Sequence, residues 1–126
     1  MMHLASIAAG GAIGALLRFW FSSGAHYLLG KGFPYGTLLV NVIGSAIIGA
    51  VYIFMVERGE LSEDWRAFLI IGLLGAFTTF STFSFETISL IEAGEVIKAG
   101  LNILISICLC LGSCWLGMLL ARQTSI

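Results

Sequence analysis

Two sets of polar side chains in an otherwise apolar chain give the first chemical signal. Thr37, Asn41 and Ser45 follow one another at four-residue steps, and Asn102, Ser106 and Cys110 repeat the spacing. Residues four apart share a helix face, so each set predicts a polar stripe. Two readings fit a stripe equally well: hydrogen bonds between helices, worth around 0.6 kcal/mol each in a membrane, or the walls of a shared path. A denser string, Gly72-Leu-Leu-Gly75-Ala-Phe77-Thr78-Thr79-Phe80-Ser81-Thr82-Phe83-Ser84, favours the path, with five hydroxyls and three phenyl rings in succession. Glycines and backbone-bonding Thr and Ser weaken a helix where they stand, which predicts a break here. Carbonyls released by that break suit a hard alkali cation, and Gly75 and Thr78 bracket it. Phe80 and Phe83, three residues apart, share a face. Their ring edges are electropositive, so with donors from Asn41 and the hydroxyls they would offer a small anion a weakly binding passage that needs no fixed charge. The plainer reading of a Phe pair is apolar bulk, and the hydroxyl run argues against it.

Such groups need a scaffold, and the composition points to a membrane. The 126 residues are 59% hydrophobic and 10% charged, with a mean hydropathy of +1.03, where soluble domains average about 45–50% apolar. The uncharged stretches Gly32–Val56, Ala67–Phe85 and Ala99–Ala121 hold 25, 19 and 23 residues, and about 20 cross a bilayer core as a helix. The apolar stretch Met1–Leu17 continues past Arg18 through Phe19, Trp20 and Phe21 to make a fourth span. A cleaved signal peptide is the competing reading, but no Lys or Arg precedes the apolar run and three more spans follow. The predicted helices run roughly over Leu4–Leu28, Tyr35–Val56, Glu63–Ile91 and Val96–Arg122. Together they form a single all-α, four-helix transmembrane domain over residues 1–126, with the third helix broken near its middle. Pro34 suits the first turn of the second helix, Ser62 can cap the third with Glu63 and Asp64 at its positive end, and Gly94 stops it. Trp20, Trp65 and Trp115 read as anchors at the lipid–water boundary. Small residues four apart, such as Gly10 and Gly14, Ser45 and Gly49, Gly72 and Ala76, and Ser113 and Gly117, predict close helix packing.

Orientation follows positive charge near span ends. Arg58, Arg66 and Arg122 share one side. Lys31, Lys98 and Arg18, if it reaches the end of its helix, share the other. Three against three gives no instruction, so copies could insert both ways and pair antiparallel. A net charge of −1 without a basic run gives no reason to expect a nucleic-acid partner. Cys108 and Cys110 point about 200° apart on a helix and cannot converge on a closed metal site, so the cysteines read as apolar filler. His3 and His26 lack a second ligand at helical spacing and read as interfacial. Neither a phosphate-binding glycine loop nor a nucleophile with its base is present, so the chain reads as no enzyme, and transport would be passive or coupled to an ion gradient. One rival is a proton-coupled multidrug exporter, which needs a deep carboxylate; Glu86 lies late in the third helix. Another is a non-transporting packing subunit, which would not need the hydroxyl string.

Gly10–Arg18, Gly36-Thr37-Leu38-Leu39-Val40-Asn41 and above all Gly72–Glu86 resemble the Fluc-type fluoride channel family, over nearly the whole chain. The resemblance implies a multi-pass protein of the bacterial inner membrane that lets cytoplasmic fluoride leak out and so relieves fluoride toxicity. It implies an antiparallel, dual-topology homodimer with two pores and a central structural sodium ion. Phe80 and Phe83 would line fluoride's path with Asn41, Ser81 and Thr82 as polar partners, and Gly75 and Thr78 would give backbone carbonyls to sodium. Arg18 would lie near a pore vestibule, and Glu86, which closes the motif, would belong to the path along with Thr37 and Ser106 of the stripes. The helix-four positions Asn102 and Cys110 leave the chemistry at that end open.

Overall fold

The computed structural model describes residues 2–124. Four helical spans, His3–Leu29, Tyr35–Glu57, Glu63–Glu92 and Val96–Gln123, have mean hydropathies between 1.5 and 2.4 and lengths of 23 to 30 residues. At 1.5 Å per residue each exceeds the roughly 30 Å of a hydrocarbon core. The chain is therefore a multi-pass membrane protein.

Helix α1 is Met2–Leu29. Helix α2 runs Tyr35–Tyr52 and continues in a wider π turn, Ile53–Glu57. The third span is two helices. α3 covers residues 63–77, with a π segment at Ala67–Leu74 in its middle, and α4 is Phe80–Glu92. Helix α5 is Val96–Gln123. Pro34 stands one position before α2 rather than in its first turn. Ser62 caps α3, its Oγ accepting from Trp65 N at 3.3 Å. Gly94, at φ +83°, reverses the chain after α4, as a residue without Cβ does most readily. Trp20, Trp65 and Trp115 are all more than half exposed.

The helices pack as two pairs, α1 with α3 and α2 with α5, joined mainly through α1 and α2. Both pairings depend on missing side chains. A Cβ on Gly14 would overlap the Leu73 carbonyl, and one on Gly10 the Phe68 carbonyl; a Cβ on Gly49 would overlap the Cys114 carbonyl, and one on Gly117 that of Ala46. Association in lipid relies on such contact because lipid tails are as apolar as the helices. The stretch of α3 pressed against Gly10 and Gly14 is the π segment. Polar bonds add to the α2–α5 seam, where the Ser113 hydroxyl donates to Val42 O at 3.0 Å. At the end of the bundle Arg122 Nε reaches both Glu57 carboxylate oxygens at 3.1 and 3.0 Å.

The stripe on the fourth span divides between its two readings. Asn102 is 2% exposed; its Nδ2 donates to Thr87 Oγ1 at 2.9 Å and its Oδ1 accepts from Ser106 Oγ at 3.3 Å. That is glue between α5 and α4. Farther along, Ser106 and Cys110 open onto a cavity. The charge count also shifts. The guanidinium of Arg18 does not reach the end of α1 but turns toward the middle of the third span, which leaves Lys31 and Lys98 against Arg58, Arg66 and Arg122.

The packing makes a direct test. Gly14→Ala, whose added methyl meets the Leu73 backbone, should lower the denaturation midpoint in detergent, a loss of about 1–3 kcal/mol for overpacking. Gly24→Ala, where nothing lies within 4 Å, should stay within about 0.5 kcal/mol of the parent. Tryptophan fluorescence during denaturant titration reads both.

Candidate functional site

The helical ladder of the third span stops at Phe77. Thr78 (φ −89°, ψ 158°) and Thr79 (φ −153°, ψ 122°) are extended, and a new helix begins at Phe80. The interruption follows from how local donors are spent. The Thr78 amide and hydroxyl both go back to Leu74 O, at 3.1 and 2.9 Å. In an unbroken helix the Thr79 amide would close onto Gly75 O and the Thr82 amide onto Thr78 O. Instead Thr79 N donates to Asn41 Oδ1 at 2.8 Å, and Thr82 N donates to Thr79 Oγ1 at 3.2 Å. Gly75 and Thr78 are thus two carbonyls whose helical donors have been redirected.

Other freed groups are captured by neighbouring helices. Ala76 O accepts from Arg18 Nε at 2.9 Å, and Thr79 O accepts from Asn41 Nδ2 at 2.9 Å. Asn41 therefore grips the Thr79 backbone with both ends of its amide. The spacing of the polar stripe predicts an Asn41 donor offered to an anion; in the structure Oδ1 and one N–H are committed to Thr79, and one N–H remains. Thr79, which no spacing rule singled out, is both the residue held and the N-cap of α4. Its signal in the sequence was the hydroxyl three residues before Thr82, the cap spacing.

Beside the interruption lies a cavity of about 440 Å³. Asn41 and Ser45 of α2, Gly75 of α3, the extended Thr78, Phe80 and Phe83 of α4, and Ser106 and Cys110 of α5 line it. The Phe80 and Phe83 rings stand 5.5 Å apart between centroids, inclined by 41°, so they are not stacked face to face. Phe80 is 77% exposed. Phe77 points the other way and meets Phe21 edge-on at 5.6 Å.

Five residues expected in the path lie outside this cavity. Ser81 and Thr82 hydroxyls gather on Thr79 Oγ1, at 3.4 and 3.1 Å. Thr37 is buried one turn before Asn41. Arg18 holds Ala76. Glu86 lines a second cavity, about 300 Å³, with His26, Lys31, Phe85 and Ser89, and its buried Oε1 has no hydrogen-bond partner among the described residues. Among the same residues no group of three His, Cys, Asp or Glu side chains could hold a metal.

The family described as "CrcB-like protein, Camphor Resistance (CrcB)" matches residues 5–118. The chain belongs to that family. A Methylococcus capsulatus relative named fluoride-specific ion channel FluC is 49% identical over 125 residues, 99% of this chain and 55% of that protein. Relatives of the same name are 50% identical in Shewanella amazonensis, covering 93% of this chain and 94% of the relative, and 46% identical in Coxiella burnetii, covering 97% and 99%. The chain thus spans about half the length of the first relative and nearly all of the other two.

In this CrcB-like chain the Asn41 clamp can be tested apart from any transport. Asn41→Asp keeps an acceptor for Thr79 N but presents Thr79 O with a second acceptor. It should cost about 1–3 kcal/mol, the penalty for an unsatisfied buried group, and should speed amide exchange at residues 78–82 while that of α5 holds. Exchange read by mass spectrometry checks this.

Proposed function

We propose that this CrcB-like chain is a fluoride-selective channel through which cytoplasmic fluoride leaks passively out of the cell, relieving its toxicity. The observation that carries the reading is the interrupted third span, whose Phe80 and Phe83 flank a hydroxyl-bearing cavity at membrane depth. The names of the curated relatives support the choice of ion.

Conduction needs binding good enough to enter and weak enough to leave. Ring edges, hydroxyls and the remaining Asn41 N–H supply such partial positive charge without a lysine or arginine to trap the anion. Ser45 and Ser106 extend the polar wall along α2 and α5. Thr37 and Glu86, one turn or more beyond, would serve the approaches, and Ser81 and Thr82 act by fixing the start of α4 and thereby the pitch of both rings. Arg18 contributes through Ala76, holding the end of α3 and adding positive potential nearby.

The Gly75 and Thr78 carbonyls, relieved of their helical donors, would hold a structural sodium ion, with two antiparallel copies each contributing both. Such an ion would lend fixed positive charge and tie the copies together. The near balance of Lys and Arg at the span ends supports insertion in both orientations, and the antiparallel dimer would carry two pores. A proton-coupled exporter remains the second reading because Glu86 Oε1 is buried without a hydrogen-bond partner among the described residues; it predicts movement of drug cations driven by a pH gradient.

Fluoride-loaded liposomes containing purified protein should release fluoride to an electrode, and chloride or drug cations far more slowly. Volume-conserving Phe→Ile changes cost below about 1.5 kcal/mol in packing, yet remove the ring edge. Phe80→Ile and Phe83→Ile should therefore incorporate normally while flux drops at least about tenfold, as 1.4 kcal/mol of lost transition-state stabilisation produces. Equal release from parent and variants would return the rings to packing. Replacing sodium by N-methylglucamine should lower the melting temperature, since an ion that binds only the folded state stabilises it. A melting temperature indifferent to sodium would remove the cation site.

A further inference from the structure

We infer that His26 is a positioning residue for conduction: its ring nitrogen caps the helix that carries Thr37, Asn41 and Ser45, and loss of that cap frees the helix and lowers flux. The inference rests on the channel reading for its effect on flux, though not for the cap itself.

Helix α2 begins after Pro34, which has no side-chain acceptor to offer, and no side chain of its own segment caps it. Tyr35 N turns back to Phe33 O at 2.8 Å. The Gly36 amide is taken from across the helix pair, donating to His26 Nε2 of α1 at 3.3 Å. This contact is tight: a Cβ on Gly36 would lie 2.9 Å from Ser22 Cα and 3.0 Å from His26 Nε2. Five residues farther along, the same helix grips Thr79 through Asn41. α2 is therefore fixed at its start by His26 and at the interruption by its own amide side chain, with little more than one turn between.

The first amides of a helix have no partner within it, and here the acceptor for Gly36 N comes from a ring nitrogen on the neighbouring helix. An aliphatic side chain in place of His26 would leave that amide without its acceptor and loosen the start of α2 against α1, whereas a side-chain amide oxygen at the same place could still accept.

The test uses the full chain in liposomes, with leak from protein-free vesicles subtracted. His26→Gln retains an amide oxygen able to accept from Gly36 N and should match the parent. His26→Leu offers no acceptor and should release fluoride about fivefold more slowly at matched incorporation, the factor one net hydrogen bond is worth. A second readout needs no transport: amide exchange over residues 35–40 should quicken about fivefold in His26→Leu and hold steady in His26→Gln. Exchange unchanged in His26→Leu, or quickened equally in His26→Gln, would overturn the cap. A parent that releases no fluoride would sink the channel reading instead, leaving exchange to decide the cap.

Discussion

A backbone carbonyl at membrane depth has no water to accept from, and every one released from a helix needs a partner supplied by protein or by a bound ion. That constraint organises this chain. Breaking the third span at Thr78 and Thr79 frees several polar groups at once, and the surrounding residues answer them individually: Arg18 for Ala76, Asn41 for both backbone groups of Thr79, and Thr79's own hydroxyl for the first turn of α4. The break is thus an ordered element with its own hydrogen bonds. It holds two phenyl rings at a fixed attitude beside a cavity, which a continuous helix with the same sequence would not do.

Such captures need short reach, and short reach comes from packing. Arg18 meets Ala76 because α1 lies backbone against backbone on α3 at Gly10 and Gly14; Asn41 meets Thr79 because α2 is held in place by α1 and, through Gly49 and Gly117, by α5. Glycines that look like a packing device and polar residues that look like a functional one are one arrangement. The π segment of α3 belongs to it as well: it lies where the helix is pressed against α1, just before the interruption, in keeping with the frequent occurrence of such turns near functional sites.

Much of this was legible in the residues. Four spans, the short connections, the caps at Ser62 and Gly94 and the weak point between Gly75 and Thr82 follow from charge placement, hydropathy and the poor helix-forming character of clustered glycine and hydroxyl side chains. Which partner each polar group finds was not legible, because that depends on contacts far apart in sequence. Asn102 and Ser106 stand on one stripe with the same spacing as Asn41 and Ser45, yet Asn102 is sealed against Thr87 while Ser106 lies between it and open space. Arg18 counts toward one side of the membrane only if its side chain reaches the end of its helix, whereas that side chain extends instead to the Ala76 carbonyl of the third span. His26 shows no partner at helical spacing because its partner is a glycine amide on the next helix, to which a pattern of side chains is blind.

The order of the partners along the chain has a consequence for biosynthesis. Arg18 and Asn41, the two side chains that answer the broken backbone of Ala76 and Thr79, both precede it. A ribosome delivers α1 and α2 to the membrane before the hydroxyl string emerges, so the acceptor and donors are already in place when the extended residues Thr78 and Thr79 arrive. The third span need never cross lipid with bare carbonyls or wait as a continuous helix to be broken later. A rearranged gene that placed this span first would lose that advantage and leave its weakest segment to face the bilayer alone.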